Sequence, residues 1–223
     1  MAPFFFYQKI FMASKTNELD TELSAVNSIL GAIGQSPITQ LKDTTTGSLI
    51  STNPEISFIY NILTECNVDV QSEGWSFNSE EHVAFTPDPT TKHISIPTNV
   101  LSLDVTNGWQ TKAVDTIRKN GKLWDKVNHT FEFDNDLVCD VVYLYEFEDL
   151  PPVFRRYVIY KAAGRAATQL IANPNLVQLL SQQEAFARAA CIEYECNQGN
   201  HSMLGFEHKQ VYQTFQPWRA LSR

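Results

Sequence analysis

PPVFRRYVIYKAAGRAATQLIANPNLVQLLSQQEAFARAACIEYECN, residues 151–197, is the stretch from which the rest of the chain can be read. Proline is tolerated in the first turn of a helix because the amide it lacks has no partner there, so Leu150-Pro151-Pro152 opens a helical segment. Val153, Tyr157, Tyr160, Ala163 or Gly164, Ala167, Leu170 and Ile171 then recur at helical steps. Ala172-Asn173-Pro174 breaks the pattern: Asn173 can cap the next helix through its side-chain oxygen, and Pro174 can take its first position. Leu176, Leu179, Leu180, Gln183, Phe186, Ala190 and Tyr194 make a second stripe, which Asn197 and Gly199 stop. Helices joined so closely lie antiparallel. Ala162, Ala163, Gly164, Ala166 and Ala167 are expected to face Ala185, Ala187, Ala189 and Ala190 in a tight hairpin.

Working back from that hairpin, a similar pair stands near the front. Asp20 or Thr21 begins a helix with Leu23, Val26, Ile29 or Leu30 and Ile33 on one face, and Gly34 with Gln35-Ser36-Pro37 ends it. Gly31 and Gly34 lie at the end of that helix and no Lys-Ser/Thr follows, so they are a cap and not a phosphate loop. Residues 41–52 are polar and expected on the surface. Asn53-Pro54-Glu55 restarts the helix with a cap, a first-position proline and an acid at the positive end of the dipole. Ile56, Ile59, Ile62 or Leu63, Cys66 and Val70 supply its stripe, and Gly74 closes it.

Between the two pairs the period changes to that of strands. Trp75-Ser76-Phe77, Val83-Ala84-Phe85, Ile94-Ser95-Ile96 and residues 100–105 alternate or run apolar between proline-bearing breaks. Asn120-Gly121 between apolar residues predicts a tight hairpin, since both turn positions need positive φ. Phe131 and Phe133, the Asp134-Asn135-Asp136 turn and residues 137–145 predict a second. The expectation is an α+β chain: a helical bundle of two helical hairpins (21–75 and 150–198), an inserted small antiparallel β-rich domain (76–149), an N-terminal extension (1–20) and an extended C-terminal tail (199–223).

Composition limits the functions. With 223 residues, 43% of them hydrophobic, the chain can bury about 70% of its unfolded surface, enough for one large domain or two small ones without disulfides. Cys66, Cys139, Cys191 and Cys196 have no two-residue spacing, which predicts reduced, mostly buried thiols. Seventeen basic against 25 acidic residues give a net charge of -8, a poor basis for gripping phosphates but compatible with a surface that lets DNA pass. His82, His93, His129, His201 and His208 show no metal-ligand spacing, and no nucleophile elbow or Walker loop is present. The acids Glu80-Glu81, Asp134/Asp136 and Glu146/Glu148/Asp149 are explained by turns and strand edges, although paired carboxylates are also what a glycosidase uses. No catalytic, cofactor-binding or metal residue is assigned.

The two ends have their own character. Residues 1–20 carry Phe4-Phe5-Phe6-Tyr7 and Ile10-Phe11-Met12 but no leading positive charge, and the apolar run is too short to span a membrane. A disordered extension and an arm docking on a neighbour both fit, and Met12-Ala13-Ser14-Lys15 resembles an alternative start. In the tail, Met203 to Phe206 and Val211 to Arg219 are apolar and aromatic without period. Trp, Tyr, Phe and Arg dominate interface cores, so this tail is expected either to dock on a partner or to fold back on its own domain.

Thr21-Glu22-Leu23-Ser24-Ala25-Val26-Asn27, Ile29-Leu30 and Ala32-Ile33-Gly34-Gln35-Ser36-Pro37, then Asn53-Pro54-Glu55 and Val70-Gln71-Ser72-Glu73-Gly74-Trp75 with Phe77-Asn78, resemble the tail tubular protein A family of short-tailed bacteriophages, the podoviruses. The Leu150-Pro151-Pro152 entry, the Ala-rich helical pair and the Arg219-Ala220-Leu221-Ser222-Arg223 ending are similar too; residues 1–20 depart from the usual short start. The resemblance implies a virion tail protein, present in the host cytoplasm during assembly. It would be a head-to-tail adaptor forming a dodecameric ring between the portal and a tail nozzle of the tail tubular protein B kind. DNA would pass through the lumen during ejection without specific binding, with no membrane and no cofactor. Some members are reported to degrade polysaccharide, which keeps a tail-associated hydrolase using Asp136, Glu146 or Glu148 as the alternative.

Three surfaces follow as expectations. Phe206, Tyr212, Phe215, Trp218, Arg219 and Arg223 bind the portal; Tyr157, Lys161, Arg165, Gln169, Gln183 and Arg188 pack subunit against subunit; and Lys119, Asn120, Gly121 and Lys122 face the nozzle. The portal and nozzle assignments are interchangeable at this level.

Overall fold

A computed structural model describes residues 21–42, 53–105 and 114–198; what was expected of residues 1–20, 43–52 and 199–223 lies outside the described residues. Helices α1 (Glu22–Ala32) and α2 (Pro54–Gln71) come first, followed by strands β1 (Ser79–Phe85), β2 (Val100–Val105), β3 (Thr116–Lys119), β4 (Lys122–Asp125) and β5 (Leu137–Tyr143). A 3₁₀ turn at Phe147–Asp149 leads into α3 (Pro152–Leu170) and α4 (Pro174–Gln198). The chain is α+β, in the order that the change of period from helix to strand and back predicts.

The helix starts follow from their caps. The Thr21 hydroxyl accepts from the Ser24 amide at 3.3 Å, Asn53 Oδ1 from the Glu55 amide at 3.0 Å and Asn173 Oδ1 from the Asn175 amide at 3.1 Å. These side chains satisfy amides that the first helical turn leaves without partners. Gly34 and Gly74 take φ of +77° and +73° just beyond α1 and α2, the left-handed stop that a Cβ disfavours.

The helical pairs are unequal. Helices α3 and α4 form the tight antiparallel hairpin, whereas α1 and α2 each pack more extensively on α3 than on one another. Helix α3 is the axis of the bundle: Phe154, Tyr157, Val158, Ala162, Ala163, Ala166 and Ala167 are all buried in one apolar cluster with Val26 and Ile29 of α1, Ile59, Leu63 and Cys66 of α2, and Leu180 and Cys191 of α4. Its alanines let neighbours approach on several sides at once. On α4 the expected facing alanines behave differently, since only Ala187 packs against the core and Ala185, Ala189 and Ala190 are exposed.

Trp75 and Phe77 belong to this helical core and not to a strand. After Gly74 the chain makes a turn in which the Trp75 amide donates to Asn78 Oδ1 at 2.8 Å, and both rings pack on Phe154, with centroids at 4.9 and 4.6 Å. The alternation in Trp75-Ser76-Phe77 therefore reflects two aromatics turned toward one helix.

The β region has its own core of Ile94, Ile96, Val100, Val105, Leu123, Phe133, Leu137, Cys139 and Val141. Strand β5 is central in a sheet of order β1-β5-β2, antiparallel to both neighbours, and β3-β4 forms a separate two-stranded ribbon. The expected pairing of residues 131–133 with β5 is not made. Residues 130–133 instead form isolated bridges, Asp125 to Thr130 and His93 to Glu132, with the Phe133 amide donating to the Lys92 carbonyl at 2.9 Å and the Phe131 ring on Trp124 at 4.4 Å. Residues 94–96 likewise contribute bridges and backbone contacts to the β3-β4 ribbon in place of a full strand.

Buried amides join the two cores. Gln71, at the end of α2, donates through Nε2 to the Tyr145 carbonyl (2.9 Å) and to Asn67 Oδ1 (2.9 Å), and its Oε1 accepts from the Tyr145 amide (2.8 Å). Asn78 Nδ2 donates to the carbonyls of Gln71 and Tyr143, both at 2.9 Å. Gln71 and Asn78 are fully buried, so each bond replaces one that water can no longer make. The chain segments entering and leaving the sheet are thereby held to the end of α2.

Candidate interaction surfaces

Helix α4 positions the most conspicuous surface. Of its residues only Leu180 and Cys191 are buried, at 5% and 0% exposure, on a line that Val177, Glu184, Ala187 and Tyr194 extend. One residue back, about 100° round the helix, runs a second apolar line: Leu179, Gln183, Phe186 and Ala190. Its two large members are open, Leu179 at 60% and Phe186 at 78%. Half of the stripe expected to close the hairpin thus points outward. A surface helix commonly places polar residues opposite its buried face, and exposed apolar patches mark interaction sites.

That outward line meets α3 in an open groove of about 490 Å³, lined by Pro152, Val153, Arg156, Tyr160, Gln183, Phe186, Ala187 and Ala190. Val153, Tyr160, Gln183, Phe186 and Ala190, all read from the sequence as hairpin packing, are its walls. On the other flank of α4's buried line, the hairpin carries a groove of about 420 Å³ with a different lining: Lys161, Gly164, Arg165, Thr168, Gln169, Val177, Ser181 and Glu184. One flank is apolar with a single cation and the other is polar and charged.

The expected packing residues divide between these places. Gln183 lines the apolar groove, and Lys161, Arg165 and Gln169 the charged one. Arg165 is paired with Asp69 of α2, and the Lys161 ammonium lies 5.6 Å from the centre of the Tyr157 ring. Tyr157 is in the core at 1% exposure. Its hydroxyl accepts from Arg188 Nη1 at 2.9 Å, and Arg188 also grips Glu73 through Nη1 (3.1 Å) and Nη2 (2.9 Å). Burial holds the Tyr157 hydroxyl above the usual phenol range. Tyr157 and Arg188 therefore tie α4 to α3 and to the end of α2, a use the sequence pattern did not suggest.

The turn Lys119, Asn120, Gly121, Lys122 closes the β3-β4 ribbon with φ of +52° at Asn120 and +72° at Gly121, as that dipeptide predicts. It is exposed but not isolated. The Gly121 carbonyl accepts from the Ile96 amide at 2.9 Å, Lys119 sits 4.6 Å over the Trp124 ring, and Lys122 Nζ lies 2.8 Å from His93 Nδ1. Phe206, Tyr212, Phe215, Trp218, Arg219 and Arg223 lie outside the described residues.

The acids of the hydrolase alternative are all exposed. Asp136 stands in the turn before β5, while Glu146 and Glu148 flank the start of the 3₁₀ turn. Glu146 rims a depression of about 360 Å³ in which the Glu22 carboxylate is already engaged by Lys42 and, at 3.2 Å, by the Tyr60 hydroxyl. Among the described residues no three His, Cys, Asp or Glu side chains group as a metal site, and no helix is long and apolar enough to cross a membrane. Cys66, Cys139 and Cys191 are buried free thiols, pushed up to about 11, 11 and 12 by burial, and Cys196 is an exposed free thiol.

A helical bundle is thus braced to a small β region, with large apolar side chains open along one outer helix. Over residues 23–201 the chain matches the model of the tail tubular protein family, and it belongs to that family. It is thus a structural component of a phage tail and acts within a tail assembly. A comparison with curated proteins gives no match.

Proposed function

We propose that this chain is the adaptor subunit between the portal and the tail nozzle, and that copies of it form a closed dodecameric ring around the channel through which DNA leaves. One observation carries the reading: the α3/α4 hairpin has two unlike flanks. A ring needs a heterologous contact, in which one face of a subunit meets a different face of the next. An apolar groove on one flank and a charged groove on the other supply two such faces on one hairpin. Lys161, Arg165, Gln169 and Gln183 then take part in lateral packing, with Phe186 and Leu179 beside them, and Tyr157 and Arg188 hold the hairpin in shape. The Lys119 to Lys122 turn faces the nozzle, and the tail, through Phe206, Tyr212, Phe215, Trp218, Arg219 and Arg223, clasps the portal. A net charge of -8 suits a channel that must not retain DNA, because retention requires clustered cations.

Mixing the protein with purified portal rings and measuring mass and symmetry tests the reading. A complex with closed rotational symmetry supports it, and the absence of any complex overturns it. Deleting residues 212–223 tests the clasp separately: unchanged addition to portal rings removes the tail from that role.

A further inference from the structure

We infer that, in the free subunit, residues 206–218 of the same chain occupy the α3/α4 apolar groove, with Phe206 beside Phe186 and Tyr160, and Glu207 paired with Arg156. The inference concerns the unassembled protein and stands whether or not the adaptor reading is right. A face carrying Phe186 at 78% and Leu179 at 60% exposure is costly to leave in water, since apolar burial is worth about 25 cal/mol per Å². The groove's single charged residue, Arg156, is exposed and makes no ion pair among the described residues. Its complement has to be apolar with one acid.

Residues 206–218 bring aromatics and one acid, with Lys209 as their one lysine. Phe206, Tyr212, Phe215 and Trp218 supply the aromatics, and Glu207, next to Phe206, is the segment's one acid. The reach also fits. From Gln198, where α4 ends, back to Phe186 is about 18 Å at 1.5 Å per helical residue. Residues 199–206 span up to about 26 Å when extended, and Gly199 and Gly205 allow the reversal. Such a contact makes assembly conditional. Within the proposed ring, drawing the tail away to a partner would uncover the groove for the next copy, so that binding at one place licenses packing at another; the docking itself does not depend on that.

Hydrogen exchange on the full-length protein, at a concentration where sedimentation shows a monomer, tests this. Amides of residues 206–218 are expected to exchange about tenfold slower than in an unstructured chain, the factor that ~1.4 kcal/mol of docking gives. R156E and E207K should each remove most of that protection, and R156E/E207K should recover it. Arg156 is exposed, so its replacement leaves the fold intact, which an unchanged far-ultraviolet circular dichroism spectrum verifies. Three results overturn the inference: no protection in the monomer; protection that appears only as the protein self-associates, which makes a second copy the occupant; or protection indifferent to both charge reversals.

Discussion

Arg188 Nη1 donates to the Tyr157 hydroxyl at 2.9 Å while the same guanidinium holds Glu73. One cation on α4 therefore satisfies a buried phenol on α3 and the last acid before Gly74. Arg188→Ala should cost more than Tyr157→Phe. The first leaves a desolvated hydroxyl without its donor, about 1–3 kcal/mol, whereas the second removes donor need and acceptor together, about 1 kcal/mol or less. Urea midpoints of the two variants check the order. Equal losses would mean that water reaches the hydroxyl.

The thiols give a pH dependence whose sign can be worked out. Burial raises Cys66 and Cys139 to about 11 and Cys191 to about 12, from 9.0 in an unfolded chain. A raised folded pKa means the contribution is complete below pH 9 and is lost as pH climbs toward 11–12, because only the unfolded chain releases those protons freely. Tyr157, also raised by burial, acts in the same direction. Stability measured by chemical denaturation should fall steadily above pH 9. At neutral pH a thiol reagent should modify Cys196 quickly and the other three only on unfolding; four fast thiols would contradict the burial.

Much of this architecture was legible because punctuation residues act locally. Asn173-Pro174, Asn53-Pro54 and Asn120-Gly121 each fix a cap or turn through their own side chain or φ, and each stands where the pattern puts it. The choice between adjacent stripes on α4 was not legible. Leu176 to Tyr194 holds two apolar lines a residue apart, and periodicity cannot say which meets α3; only the fit of Leu180 and Cys191 into the bundle decides. For the same reason the groove was invisible, since Tyr160 and Phe186 look like core until both are seen outside it. The pairing of β5 depends on contacts with β1 and β2 far away in sequence, which a local turn at Asp134 to Asp136 does not encode. The Gln71 and Asn78 bonds have no sequence signature at all.

At the β3-β4 turn the constraint is purely conformational. Gly121 has φ of +72° and nothing within 4 Å of where a Cβ would stand. Gly121→Ala meets no clash, yet should cost about 1–2 kcal/mol from the left-handed backbone alone. Asn120, at +52°, is among the residues that tolerate this region. Asn120→Gly should therefore be near neutral, and calorimetry of both variants separates backbone strain from loss of a contact.

The braces between the two cores make another expectation. Gln71→Leu keeps the volume but leaves the amide and carbonyl of Tyr145 and the Asn67 side chain without their partner. The loss should reach about 2 kcal/mol or more, a fall of about 4–8 °C in Tm at this chain length. Hydrogen exchange should show the rise concentrated at residues 143–146, where the sheet leaves for α3. A uniform rise over both cores would mean that the amides serve general packing and not the joint.

Phe186 and Leu180 lie six residues apart on α4 with opposite exposures, 78% and 5%, and they separate folding from assembly. Leu180→Ala opens a hole in the bundle and should cost about 2–4 kcal/mol of stability. Phe186→Ser removes a ring that the bundle core does not use, so stability should fall by no more than the ~1.4 kcal/mol of tail docking. If the outer face of α4 is where the next copy packs, the same substitution should weaken ring formation on portals by more than tenfold, because a central aromatic at an interface carries about 2 kcal/mol or more. Thermal midpoints and the yield of closed rings, measured on the same preparations, give both answers. A Phe186→Ser protein that builds rings as the unmodified chain does removes this face from the assembly, and a variant that loses stability as Leu180→Ala does shows that the ring belongs to the core.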